Sequence, residues 1–349
     1  MFFTLAVSAA TPEGCAALTD RALAVDPSAM PVPGPAEVAW RSPDGRAALL
    51  RWGGGVETAK GGAAATGSGS AAETASASHA GTIWADGDRV YARTSVTRVD
   101  PVYLAEVRGA VIVADRATWA GWTSSRLDGH DPLHLCALLN PGFPLGSVTP
   151  FTDVTAMAGS TTLQLRGGSV TRVDGAATRA AGATRPHPGD ARLASGPGGA
   201  RDVAEALVAA VAPLRDAGAP VELSLTGGKD SRLIAAALVK AGVPVVARTH
   251  GFDDHPDVVV AAEIARRLGI EHVVRTPAAP GQRVDVLGRI RATVLVADGM
   301  LSAFENVGRP DPAASAALTA GGHGGELLRG GYAETVAGRG PARGPRGVP

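Results

Sequence analysis

From Arg201 to Arg275 the sequence switches repeatedly between two periodicities, and this switching restricts the fold more than any other feature. Residues 201–217 place Val203, Leu207, Val211 and Leu214 on one helical face. Val221, Leu223 and Leu225 then alternate as a strand. After a glycine turn, Leu233, Ile234, Ala237 and Leu238 form the next amphipathic helix. Gly242 ends that helix and residues 243–249 read as a second strand. Residues 256–268 read as a third helix, with Pro256 near its start and Gly269 just past its end. Residues 271–275 give a third strand. The order strand, helix, strand, helix, strand implies parallel strands joined by right-handed crossovers, which is an α/β unit.

The residues before 201 have a different texture. Short β-like runs at 47–52, 81–84, 89–99 and 110–113 are separated by turn signals such as Ala85-Asp86-Gly87-Asp88. Phe3, Leu5 and Val7 alternate as a first strand with one buried face. The stretch from Phe2 to Ala10 also ends in small residues, as the apolar core of a secretory signal does, but no Lys or Arg precedes it. Residues 132–139 read as helical, and 148–165, ending near Gly167-Gly168, complete this half. The stretch 53–80 has Val56 as its single large apolar residue, too little burial to offset ordering entropy, and reads as a flexible insertion. Residues 174–200, full of Gly, Pro, Ala and Arg, read as a linker. The expected organisation is a strand-rich domain at 1–173 carrying the insertion 53–80, a linker at 174–200, an α/β domain at 201–335 and a disorder-like tail at 336–349.

Composition removes several function classes. The 349 residues carry 33 Lys+Arg against 33 Asp+Glu, which disfavours a basic nucleic-acid binder. No apolar run approaches the roughly 20 residues needed to cross a bilayer, so no membrane span is expected. Cys15 and Cys136 stand far apart, outside any CxxC pairing. That excludes a zinc ribbon, an iron–sulfur cluster or a disulfide scaffold and makes the cytoplasm the natural compartment.

The chemistry is concentrated in the turn after the first parallel strand, Ser224-Leu225-Thr226-Gly227-Gly228-Lys229-Asp230-Ser231. A parallel sheet opens its ligand crevice at such a turn. Two glycines allow backbone N–H groups to approach an anion, and the following helix start adds its positive end and unpaired donors. Thr226 and Ser231 bring hydroxyls, and Lys229 either adds charge beside the phosphates or faces solvent. Asp230 is a poor direct neighbour for a phosphate, so a bridging Mg2+ is the way to accommodate it. Gly and Asp are also common in βα turns for structural reasons alone. The turn is not a Walker A loop, because Asp230 follows Gly228-Lys229 and Leu223 occupies the place of the first glycine; nor is it a GxGxxG fingerprint.

The turn is similar to the S/T-G-G-x-D-S signature of the PP-loop ATP pyrophosphatases. Within that group the chain resembles the asparagine synthetase B family, whose relatives include β-lactam synthetases and lasso-peptide cyclases. Two further segments carry the resemblance. One is Thr249-His250-Gly251-Phe252 with Pro256-Asp257, running through Ala261-Ala262-Glu263-Ile264-Ala265 to Leu268-Gly269 and His272. The other is Gly322-His323-Gly324-Gly325-Glu326-Leu327-Leu328-Arg329-Gly330-Gly331-Tyr332, which looks like the family's G-x-G-x-D-E-x-x-G-G-Y segment. The resemblance implies an ATP site formed by Ser224, Leu225, Thr226, Gly227, Gly228, Lys229, Asp230, Ser231, Thr249, Gly251, Gly322 and Gly324. It implies Mg2+ held by Asp230 and Glu326, the latter replacing an Asp of the family. His323 replaces an acidic residue on the nucleophile side; it either acts as a general base or hydrogen-bonds the backbone.

More weakly, the first half resembles the glutaminase domain that precedes the synthetase domain in this family, on Val148-Thr149-Pro150-Phe151-Thr152-Asp153-Val154 through Ala158-Gly159-Ser160 and Leu163-Gln164-Leu165. That implies an Ntn-hydrolase-like αββα domain followed by a doubly wound parallel PP-loop domain, an α/β protein. The family's glutaminase uses a cysteine directly after the initiator methionine; here that position is Phe2, so the domain is expected to be degenerate. The family's late cationic phosphate contacts have no counterpart, so a truncated synthetase is expected. The activity implied is ATP-dependent, AMP-forming amide synthesis from a small-molecule or peptide carboxylate and an amine, without glutamine hydrolysis, nucleic acid or membrane; a homodimer is compatible with it. The alternative is an inactive nucleotide-binding remnant or partner-binding module. Transfer RNA thiolation on the same loop is disfavoured, since no cysteine lies downstream of Gly228.

Overall fold

The computed structural model describes residues 3–31, 34–53, 82–95, 98, 100–144, 146–173, 197–216, 218–276, 285–302 and 318–322. The insertion 54–80, the linker residues 174–196 and the tail 336–349 lie outside them. The fold is mixed α/β, antiparallel in the first half and parallel in the second. The chain divides into two compact units. Met1–His187 with Val284–Ala313 form the first, and Pro188–Arg283 with Ala314–Pro349 form the second. The described residues 285–302, which the sequence groups with the α/β domain, thus cluster with the first unit.

The first unit contains two antiparallel sheets. Six strands, β1 (Phe3–Ala9), β2 (Ala36–Arg41), β3 (Ala47–Trp52), β6 (Tyr103–Val107), β7 (Ala110–Ala114) and β8 (Val154–Ala156), order as β2-β3-β1-β7-β6-β8. Four more, β4 (Thr82–Asp86), β5 (Arg89–Arg93), β9 (Thr162–Arg166) and β10 (Ser169–Val173), order as β10-β9-β5-β4. Side chains alternate across a strand, so each face of β1 serves a different core. Leu5, Val7 and Ala9 pack with Cys15, Leu18 and Ala22 of helix α1 (Pro12–Leu23) and with Trp119 and Ala120 of α2 (Ala117–Ser124). Ala6 joins Leu49, Val111 and Val113 against Ile83, Val90, Leu163 and Leu165 of the second sheet. The first strand is therefore buried on both faces, and even Ser8 is fully buried; its hydroxyl accepts the Gly168 N–H at 3.3 Å.

Thr11 caps α1 by accepting the Gly14 N–H, with Pro12 in the first turn. The helix α3 (Pro132–Leu139) is capped likewise by Asp131, which accepts the Leu133 N–H at 2.8 Å.

The first unit also holds a buried ionic joint. Helix α7 (Val286–Val296) ends against Arg116, which precedes α2. The Arg116 Nη2 donates to the Leu295 carbonyl at 2.7 Å and to Asp298 Oδ1 at 2.9 Å. Asp298 in turn accepts the Thr118 N–H at 3.2 Å, satisfying a donor in the first turn of α2. One guanidinium thus closes the end of α7 while one carboxylate closes the start of α2. Beside them the half-buried Asp115 accepts the Thr4 N–H at 2.7 Å, and the desolvation of its carboxyl pushes it up to about 8.

The second unit starts with α4 (Pro197–Val211) and builds a parallel sheet from β11 (Val221–Ser224), β12 (Val245–His250), β13 (Glu271–Arg275) and β14 (Thr319–Ala320) in the order β13-β12-β11-β14. Helices α5 (Lys229–Lys240) and α6 (Pro256–Leu268) connect the first three strands. Gly269 ends α6 at φ +67°, a left-handed conformation that favours glycine, and its N–H returns to the last turn. Val221, Leu223, Leu225, Ala235, Leu238, Ala247, Ala261 and Ala265 form the core.

Candidate functional site

The strand order reverses around β11. Strands β12 and β13 lie to one side of it in chain order, and β14, which comes last, lies to the other. A parallel sheet with helices leaves a crevice at such a reversal, beyond the carboxyl ends of its strands. The turn Thr226–Ser231 emerges there from β11, and Gly322 follows β14 two residues after its end.

The turn is braced from within. Leu225 is buried in the core, and its N–H donates to the Arg248 carbonyl at 3.0 Å. The Ser231 hydroxyl, almost wholly buried, accepts the Thr226 N–H at 3.1 Å and lies 3.2 Å from Thr226 Oγ1. Thr226 Oγ1 accepts the Gly228 N–H at 3.1 Å, and Gly227 donates to Asp257 Oδ1 at 2.9 Å. Thr226 and Ser231 therefore tie the loop to itself rather than projecting two free hydroxyls. The amides of both glycines also have acceptors inside the unit. What faces outward is the start of α5. Gly228 is its N-cap and supplies no side-chain cap, so the first-turn amides and the positive helix end are positioned to receive an anion. Asp230 sits half-buried in that first turn, while Lys229 and Ser224 are exposed.

Gly322 closes the site from the neighbouring strand. A Cβ there would stand 2.6 Å from the Ser231 backbone nitrogen and 3.0 Å from both the carbonyl carbon and Cβ of Asp230, so no larger residue fits without displacing the start of α5. Strands β11 and β14 pair in parallel, with Leu223 opposite Ala320, which sets this approach. Two motifs about ninety residues apart in the chain thus meet at one point.

On the other flank, Thr249 at the end of β12 is buried, and its hydroxyl donates to the Leu225 carbonyl at 2.7 Å. Its oxygen also lies 2.8 Å from His272 Nε2 on β13. A hydroxyl has one hydrogen, so His272 donates from Nε2. Burial holds the His272 imidazole below its ordinary pKa and so favours the neutral ring. Gly251 donates its N–H to the Arg275 carbonyl at 3.1 Å, and a Cβ on it would come 2.8 Å from Val258 Cγ2. Thr249 and Gly251 thus form the wall of the crevice by joining three strands and the start of α6.

Of the sequence-predicted residues, Ser224 to Ser231, Thr249, Gly251 and Gly322 lie in this unit. His323, Gly324 and Glu326 lie outside the described residues. Among the described residues no group of three or more His, Cys, Asp or Glu side chains could hold a metal ion by itself. Asp230 nonetheless suits a Mg2+ that takes one or two carboxylates and completes its shell with phosphate oxygens and water. Sequence reasoning did not place Asp257 or His272 at the turn. The signal available was Asp257 directly after Pro256 at a helix start, where a carboxylate faces back toward the preceding loops.

The second unit is thus a parallel α/β unit whose first turn ends in a helix start without a side-chain cap at the strand reversal, where such folds open a crevice. A family model described as asparagine synthase matches residues 202–302, from α4 through the turn and on past α7. That match supports the resemblance to the asparagine synthase family over the segment it covers. No curated protein matches the chain. Among the described residues no helix is long and apolar enough to cross a membrane.

Proposed function

We propose that the second unit binds ATP at the turn 226–231 and that the chain couples its cleavage to amide synthesis. A carboxylate oxygen attacks the α-phosphorus, the bond to pyrophosphate breaks, and an acyl-adenylate forms. An amine nitrogen then attacks the acyl carbon, and the carbon–oxygen bond to AMP breaks. The first-turn amides of α5 and its helix dipole meet the charge that grows on the departing pyrophosphate. Such fixed donors stabilise the transition state more than bound ATP. Asp230, with Glu326 by the sequence resemblance, would hold Mg2+. When bound, the ion would neutralise phosphate charge. The observation that carries this reading is Gly322 packed on Asp230 and Ser231 at the reversal of the sheet, together with the match to the asparagine synthase family.

Glutamine hydrolysis of the N-terminal-cysteine type is not part of the proposal. Cys15 and Cys136 both lie inside helices, where neither carries a free α-amino group to serve as its base. The amine is then free ammonia or a substrate amino group. Both cysteines are free, in keeping with a reducing compartment such as the cytoplasm.

Exchange of labelled pyrophosphate into ATP across a panel of carboxylic acids tests this reading. Acid-dependent exchange that falls about a hundredfold in Asp230→Ala is expected, the order of loss typical for a group that stabilises developing charge. Binding of ATP without exchange for any acid would leave a nucleotide-binding module in place of a ligase.

A further inference from the structure

Of the three amides that open the turn, two are met by neutral hydroxyls and one by a charge. Thr226 donates to the Ser231 hydroxyl and Gly228 to the Thr226 hydroxyl, but Gly227 donates to the carboxylate of Asp257 at 2.9 Å, across 30 residues of sequence. Asp257 stands in the first turn of α6 immediately after Pro256, and its own N–H donates to Nδ1 of the capping His255 at 3.2 Å. A helix start favours a carboxylate, and an N–H to carboxylate bond is stronger than one to a neutral oxygen. A Cβ at position 227 would stand 2.9 Å from Asp257 Oδ1 and 3.5 Å from Val260 Cβ. Glycine at 227 is therefore what lets this carboxylate reach the main chain.

We propose that Asp257 gates the anion site: its carboxylate occupies the Gly227 amide in place of a phosphate oxygen, and an incoming phosphate group must displace it or bind against its charge. The inference rests on the reading of this turn as a triphosphate site. One N–H cannot serve two anionic acceptors at full strength, and a second negative charge beside an incoming phosphate repels it. The gate weakens binding of any polyphosphate that does not bring enough interactions with α5 to release Asp257. The neutral contacts of Thr226 and Ser231 keep the turn in shape when Asp257 lets go.

Titration calorimetry of the full chain with inorganic pyrophosphate and with Mg-ATP, for wild type, Asp257→Asn and Asp257→Ala, tests the gate. Asparagine keeps an oxygen for the Gly227 N–H and removes the charge; alanine removes both. Circular dichroism melts confirm that each variant is folded. Both variants are expected to bind pyrophosphate and Mg-ATP about tenfold more tightly than wild type, equivalent to about 1.4 kcal/mol. Equal or weaker binding by the folded variants, with wild type binding, overturns the gate and leaves the triphosphate site standing. Absence of binding by wild type and both variants overturns the site itself and the gate with it.

Discussion

The two units place charge in opposite ways. In the first, Arg116 and Asp298 meet at 2.9 Å with side chains 3% and 6% exposed. In the second, the charges keep to the rim. Asp230 and Asp257 are half-buried, and the Arg248–Glu222 pair is 27% exposed on each side. Charge removed from water is costly unless it is paired, so the Arg116–Asp298 bridge suits a permanent joint holding α7 to α2. The second unit leaves partly solvated carboxylates beside an uncapped helix start, an arrangement that tolerates a change of partner. The buried charge of the first unit holds structure; the carboxylates at the turn of the second stay within reach of water.

That contrast breaks most sharply at Arg116. Arg116→Met leaves Asp298 buried without its partner and the end of α7 without its donor. It is expected to cost about 3–5 kcal/mol in chemical denaturation, with pyrophosphate binding retained under conditions where the chain stays folded. A small loss would mean that the joint does not hold α7 to α2.

The next effect is a pH slope. The folded Asp115 carboxyl titrates near 8, above its ordinary value near 4. Between those limits the folded state keeps a proton that the unfolded chain has released. Stability therefore falls as pH rises through this window, by up to about 1.4 kcal/mol per unit, and the proton's contribution is lost above pH 8. Asp115→Asn keeps an acceptor for the Thr4 N–H and carries no charge. Its melting temperature is expected to gain on wild type steadily from pH 4 to pH 8; parallel curves would contradict the buried titration.

In the second unit, Gly322→Ala forces a methyl against Asp230 and Ser231. It is expected to cost about 1–3 kcal/mol as overpacking and to weaken pyrophosphate binding well beyond what lost stability explains. The smallest effect sharpens the contrast from the other side. Glu263 stands on α6 with its side chain 42% exposed, and its hydrogen bonds from Arg266 and Arg267 hold its carboxyl down to about 2. Glu263→Gln is expected to leave the melting temperature unchanged within error at physiological salt, since such pairs are solvated and screened.

What could be read from the sequence follows the same division. Helix α6 and strand β13 take the boundaries their residues announce, because Pro256 and Gly269 mark the helix ends by backbone chemistry alone. The face of α5 was less legible. Leu233, expected in the core, is 38% exposed, while Ala235, Leu238 and Ala241 are buried. Alanines carry little hydrophobic signal, yet here they form much of the packed side. Helix α2 is buried on nearly every side, so its sequence shows no helical period. The Arg116–Asp298 joint spans 182 residues and the Gly227–Asp257 contact spans 30. The joint leaves no local pattern, because tertiary folding alone brings its partners together; of the contact only the helix-start position of Asp257 is visible in the sequence. The turn 224–231 stands out in the sequence as a candidate anion site; which of its amides bond within the unit does not.

We propose that the start of α5, framed by the turn 226–231 and Gly322, receives the phosphates of ATP. Equilibrium dialysis of labelled ATP with magnesium against wild type and Asp230→Ala tests it most directly. Saturable binding by wild type, at least about tenfold weaker in the folded variant, is the predicted result. No binding by folded wild type, or equal binding by both proteins, would contradict it.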